Sequence, residues 1–290
     1  FLAIRSFLVG ITCTRALSWA AAVAVVINIP LNYILTFVGG LGISGAAIAS
    51  SLAEMGSLAM LLFYVWLKID KVKYGLKPVY DGKLLVDVLS LSVWSMLHAF
   101  ISVAPWLLFF VAVEHLGKTE LAISNITRSV SAVFFVIVNS FAVTTGSLVS
   151  NAIGAGERRA VFIICRKILR LGYSVGFPLI GVAVCCNRLI IGIYTDNELL
   201  TEQAFIPFVV TLLNYTFALP GYVYLNAVGG TGKTRITFLF QVTTTVVYLG
   251  YLYWLSACTH ASLAIYLTAE YLFVILLALQ SVFYLRSKQY

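Results

Sequence analysis

The stretch ELAISNITRSVSAVFFVIVNSFAVTTGS, residues 120–147, decides how the rest of the chain is read. Beyond Glu120 it carries a single charge, Arg128, and it is longer than the roughly 20 residues a helix needs to cross the hydrocarbon core of a bilayer. Seven more segments qualify in the same way: about 17–38, 43–67, 91–114, 168–194, 204–227, 236–257 and 262–285. Composition agrees. The 290 residues are 61% apolar and 10% charged, with a mean hydropathy of +0.99, whereas soluble domains carry about 25% charge. A water-soluble globule of this length leaves too much of that surface uncovered. Backbone polar groups in lipid must be bonded within their own segment, so the spans are helices, and the ten-residue alternation of a membrane barrel is absent. The expected fold class is an all-α integral membrane protein with eight transmembrane helices.

Charge placement sets the orientation. One set of gaps holds Arg5 and Arg15, then Lys68 to Lys83, then Arg158 to Arg170, then Lys233 and Arg235, and finally Arg286 and Lys288. The other set holds Lys118 and Arg188 with Glu120, Asp196, Glu198 and Glu202. The two sets alternate between successive spans, so the cation-rich side is the cytoplasmic one and both chain ends are expected there. The net charge of +8 therefore belongs to membrane topology and not to nucleic acid. Five cysteines without a CxxC pair are expected as free thiols.

Residues 69–83, with Gly75, Pro78 and Gly82, read as a cytoplasmic linker between a two-helix portion, 1–68, and a six-helix portion, 84–290; residues 84–90 are expected at the membrane interface. Gly10-Ile-Thr-Cys-Thr-Arg15 and Gly230-Thr-Gly-Lys-Thr-Arg235 share a G-x-x-x-T-R frame, and each precedes a pair of spans with Ala-Glu in the second, at Glu54 and Glu270. This is the signature of a parallel repeat, a common transporter plan. The start at Phe1, close to an apolar block, suggests a piece of a longer product.

Asn28-x-x-x-Asn32-Tyr33 followed by Gly42-Ile-Ser-Gly45-Ala46-Ala47-Ile48-Ala49 resembles the fifth and sixth helices of the multidrug and toxic compound extrusion (MATE) transporters. Ala122-Ile-Ser-Asn125, Leu148 to Gly156, Tyr194-Thr-Asp196 and Gly230 to Arg235 follow in the family's order. The resemblance implies a twelve-helix fold of two six-helix lobes, of which this chain holds the last two helices of the first and the whole of the second. It also implies a multi-pass protein of the cell membrane, expected in a bacterial inner membrane, that exports organic cations or other amphiphilic molecules. Alternating access would be driven by inward sodium or protons, with partners limited to the bilayer, the substrate and the missing N-terminal helices. The family's second-lobe acids fall near Ser102 and Ala218, neither acidic, so coupling here needs other residues.

An ionisable group at mid-bilayer costs at least about 2.5–3.5 kcal/mol, so the survivors face a cavity or a partner. Candidates for a substrate or ion pathway are Glu54, His98, Asn125, Arg128, Asn214, Tyr215 and Glu270. Ser95, His98 and Ser102 share one helix face, and Asn125, Arg128 and Asn139 share another, so both stripes can look into one interior. Arg128 is open to two readings: a charge that meets substrate or switches partner, or a fixed ion pair with Glu114 or Glu270. Glu54 and Glu270 are proton sites or inter-helix anchors, and His98 a proton carrier or a satisfied polar residue. Asn214 and Tyr215 lie near Pro220, where a loosened helix frees backbone groups. Of the aromatic side chains, most are expected to face lipid or the interface. The small residues Gly42, Gly45, Ala46, Ala47 and Ala49 are expected to let helices pack closely. The glycines of Gly154-Ala-Gly156 and Gly230-Thr-Gly232 are expected to end helices.

Other classes find little support. Gly232-Lys233-Thr234 is no phosphate loop, because Ala227 stands where a glycine is required. No metal-spaced cluster, GxSxG or catalytic carboxylate pair appears, so neither an enzyme nor a cofactor is expected. The alternative to an efflux protein is a lipid-linked saccharide flippase of the same superfamily, in which Arg128 would bind a pyrophosphate.

Overall fold

The structure, a computed structural model, describes residues 1–70, 74, 75, 81–258 and 261–288. Among these residues the only regular structure is helical, and eight helices are long and apolar enough to cross a membrane. The chain divides into two compact units, Phe1–Gly82 and Lys83–Tyr290. Of the expected linker 69–83, residues 71–73 and 76–80 lie outside the described ones.

In the first unit a short helix α1 (Leu2–Gly10), which hydropathy did not reveal, precedes α2 (Thr14–Tyr33), a π-helical segment (Ile34–Val38) and α3 (Gly42–Lys68). The buried face of α3 is Gly45, Ala49, Ala53, Ser57 and Leu61, one residue per turn; its Leu61 end clusters with Ala16 and Ala20 of α2, and Gly45 lies against the backbone of Leu35. Small side chains bring the backbones close, and Ser57 Oγ donates to the Ala20 carbonyl at 3.1 Å. The expectation of close packing holds for Gly45 and Ala49. Ala47 and Gly42 face outward instead, and Gly42 opens the helix at φ +54°.

The second unit runs through α4 (Gly82–Glu114), α5 (Lys118–Gly154), α6 (Ala160–Cys185), α7 (Asn187–Gly192), α8 (Glu198–Leu213), α9 (Tyr215–Gly230), α10 (Thr234–Cys258) and α11 (Leu263–Ser287). Residues 84–90 are exposed and belong to the first turns of α4. The span expected at 168–194 starts at Ala160 and breaks at Cys186, so Arg166, Lys167 and Arg170 are exposed residues on a helix and not in a gap. Long cationic side chains tolerate that place because their stems lie along apolar surface while their heads reach water. At 37 residues α5 is roughly 55 Å long, well beyond the bilayer core.

The core of this unit lies where α5 and α11 pack on α9, around Val138, Val149, Leu219, Val223, Leu267 and Leu277. The contact of α5 with α9 is tight enough that a Cβ on Gly230 would sit 2.5 Å from the Gly146 carbonyl oxygen. Three helix ends share one turn. After Gly10, Gly154 and Gly230 the chain takes a left-handed residue, Thr12 (φ 59°), Gly156 (φ 82°) or Gly232 (φ 79°). The glycine pairs thus end helices as expected, and the two G-x-x-x-T-R frames adopt the same turn before Thr14 and Thr234. Cys13, Cys165, Cys185 and Cys186 are free thiols; the Cys258 side chain lies outside the described ones.

Candidate functional site

The site grows out of a nick in one span. Asn214 separates α8 from α9 while keeping a right-handed conformation, φ −54° and ψ −27°. Six residues on, Pro220 lacks the N–H that would bond the Thr216 carbonyl. That carbonyl is not left free, as the sequence suggested, because the Tyr173 hydroxyl of α6 donates to it at 2.7 Å. Tyr271 of α11 donates to the Val210 carbonyl just before the nick. The break is therefore braced from two neighbouring helices, and the Asn214 side chain is turned toward α11.

There Arg128 of α5 and Glu270 of α11 form an ion pair through Nη2 and Oε1. Asn214 Nδ2 donates to the other carboxylate oxygen, Oε2, at 3.4 Å. Between Glu114 and Glu270 as partners, the structure selects Glu270; Glu114 is exposed at the end of α4. The guanidinium lies 4.1 Å from the ring centroid of Phe109 and 5.2 Å from that of Phe110, so α4 supplies a cation–π platform. These three groups form one wall of a cavity of about 460 Å³. Trp106, Phe135, Tyr222, Tyr248 and Phe273 give it an aromatic surface, and Ser102 and Ser131 add hydroxyls. Arg128 and Glu270 are the only charged residues in that lining.

Hydrogen bonding at the wall is lopsided. Both oxygens of Glu270 have donors, whereas Arg128 Nε and Asn214 Oδ1 are buried with no partner among the described residues. A buried polar atom left unbonded costs about 1–3 kcal/mol.

The remaining candidates are placed elsewhere. Tyr215 is 3% exposed; its hydroxyl donates to the Gly172 carbonyl at 2.7 Å, and its ring fills the space a Cβ on Gly176 would need. It holds α9 to α6 and does not line the large cavity. Asn125 is exposed on α5, as is Asn139, so the stripe they share with Arg128 reaches the cavity only at Arg128 and at residues between them. His98 is half-buried on α4 outside the lining, with Nε2 unpartnered among the described residues; Ser102, one turn further along the same face, does line it. Glu54 is exposed on α3 of the first unit with no ion pair among the described residues. Sequence reasoning missed Phe109, Phe110, Tyr248 and Phe273, for which nothing distinguishes these rings from the many that face outward. Among the described residues no group of three or more His, Cys, Asp or Glu could hold a metal ion.

Comparison with known proteins gives the following. A family model described as MatE matches residues 95–254. The multidrug resistance protein NorM of Vibrio cholerae is 22% identical over 215 residues, 70% of this chain and 46% of that protein. The probable multidrug resistance protein NorM of Photorhabdus laumondii is 25% identical over 221 residues, 73% of this chain and 48% of its own. The chain thus spans about half the length of the curated relatives it matches. A solved outward-facing multidrug resistance MATE family transporter superposes with a TM-score of 0.82 at 14% identity, covering 93% of this chain and 61% of the other.

Proposed function

Since this chain belongs to the MatE family, we propose that it is the membrane-embedded part of a secondary transporter that exports amphiphilic small molecules by cation-coupled antiport and alternating access. The observation that carries this reading is the cavity of about 460 Å³ enclosed by spanning helices around the Arg128–Glu270 pair. Its volume falls in the range that takes a drug-sized molecule, and its lining has the usual character of such pockets, mostly apolar and aromatic side chains with a few polar groups. In this reading Phe1–Gly82 supplies the last two helices of an N-terminal lobe and Lys83–Tyr290 is the six-helix C-terminal lobe. Both ends lie in the cytoplasm, as the cation-rich gaps imply.

Ser102 and Ala218, neither of them acidic, both line the cavity, so Glu270 is its one carboxylate. With Glu270 engaged by Arg128 and Asn214, the coupling sodium or proton is assigned to Glu54. A lone carboxylate on a spanning helix is costly against lipid, so its face belongs to a wet interior. The flippase reading is not favoured, because a pyrophosphate needs several cations and the lining offers only Arg128.

Everted membrane vesicles carrying the protein test the proposal. We expect a fluorescent amphiphile to accumulate when a sodium or proton gradient is imposed, and Glu54→Gln to abolish gradient dependence while binding persists. Accumulation that is identical with and without every cation gradient would reject antiport.

A further inference from the structure

We propose that the cavity of the second unit selects amphiphiles bearing a hydrogen-bond acceptor anion, such as an aromatic carboxylate, over organic cations. The inference rests on the transporter reading above and narrows its substrate class.

The argument is one of unequal satisfaction. A carboxylate only accepts and a guanidinium only donates, through five N–H groups. Both Glu270 oxygens are already occupied, by Arg128 Nη2 and by Asn214 Nδ2. Arg128 spends one N–H on that pair, and its Nε has no partner among the described residues. The wall therefore keeps more free N–H donors, on Arg128, than free lone-pair sites, on Glu270, and it has no unpaired carboxylate. An organic cation entering here meets a glutamate already paired with a guanidinium, so it finds no unpaired anion. It gains only ring faces, and Arg128 already lies over two of these, Phe109 and Phe110.

A carboxylate or sulfonate does better. It accepts from the unoccupied N–H groups of Arg128 while the ion pair stays closed, and charge-assisted bonds of this type are about twice as strong as neutral ones. Low local dielectric strengthens them further. An aromatic body then packs on Trp106, Phe135, Tyr222 and Phe273.

A matched pair of probes isolates charge from shape: 2-naphthoate and 2-naphthyltrimethylammonium, titrated calorimetrically into the protein in nanodiscs. The wild type is expected to bind naphthoate at least tenfold more tightly than the ammonium. Glu270→Gln is expected to tighten naphthoate several-fold by releasing Nη2. Arg128→Gln is expected to weaken naphthoate at least tenfold and to reverse the preference, because Glu270 is then unpaired. The double variant Arg128→Gln/Glu270→Gln removes both charges without burying either one alone, and is expected to bind the two probes equally. Tighter binding of the ammonium by the wild type overturns the proposal, and so does naphthoate binding that the double variant leaves unchanged. Gradient-driven export of cationic dyes alongside either result would leave the transporter reading standing while this selectivity fell.

Discussion

At the residue scale, two copies of one turn show how a single side chain sets local strain. Thr12 and Gly232 occupy equivalent left-handed positions after α1 and α9, at φ 59° and 79°. A β-branched residue fits that region poorly, at a cost of roughly 1–2 kcal/mol, whereas glycine enters it freely. Thr12→Gly should therefore raise the thermal midpoint in detergent, with a net gain of about 0.5–1 kcal/mol after the unfolded chain's added freedom is counted. Gly232→Thr should lower it, and equal shifts of the same sign at both positions would refute the strain argument. The shared G-x-x-x-T-R frame made this pair of turns legible. The partner of Arg128 was not: spacing places a charge on a face of its own helix, but says nothing about which neighbour that face meets. Glu114 and Glu270 are equally good partners by spacing, and only the packing of α5 and α11 on α9 brings Glu270 to Arg128.

At the element scale, the proline in α9 is compensated from outside its own helix. Tyr173 replaces the hydrogen bond that Pro220 cannot give to Thr216. Tyr173→Phe should destabilise the protein by about 1 kcal/mol, the net contribution of a part-buried hydrogen bond to the Thr216 carbonyl. Adding Pro220→Ala restores an N–H at that position, so the double variant should recover most of the loss. A thermal-unfolding cycle in which the two changes simply add would contradict the compensation. Helix existence was readable because hydropathy integrates over some twenty residues. The start of α6 was missed because Arg166, Lys167 and Arg170 look like a loop in a linear reading, although on a helix their heads reach water. The short α1 carries too little apolar length to be seen by the same criterion. The brace at Thr216 joins residues 43 positions apart and leaves no trace in spacing.

At the scale of the whole molecule, the unit Lys83–Tyr290 builds its own cavity from α4, α5, α9, α10 and α11, with Asn214 at the α8–α9 nick. A polar pair therefore sits where spanning helices would otherwise pack apolar groups, and its expense is reduced by mutual charge and by the Phe109 and Phe110 rings. Composition alone announced a membrane protein, and the order of short motifs pointed to the family. Which rings face the cavity depends on the angles at which helices cross, which sequence periodicity does not fix. Of the residues singled out in the sequence, the structure brings Arg128, Asn214 and Glu270 to the cavity, whereas Asn125, marked only by polarity, is exposed and Tyr215 lines a smaller pocket with Asn214 and Glu270.

In the proposed transporter, exported molecules occupy the cavity beside Arg128 and Glu270. Ala132 lines that cavity, while Val143, on the same helix, is exposed outside it. In a background with the five native cysteines replaced by serine, Ala132→Cys and Val143→Cys should be titrated with a membrane-permeant maleimide, with and without an exported amphiphile. Protection of the cysteine at 132, with unchanged labelling at 143, is the predicted result. Equal labelling of both positions at saturating amphiphile would contradict it.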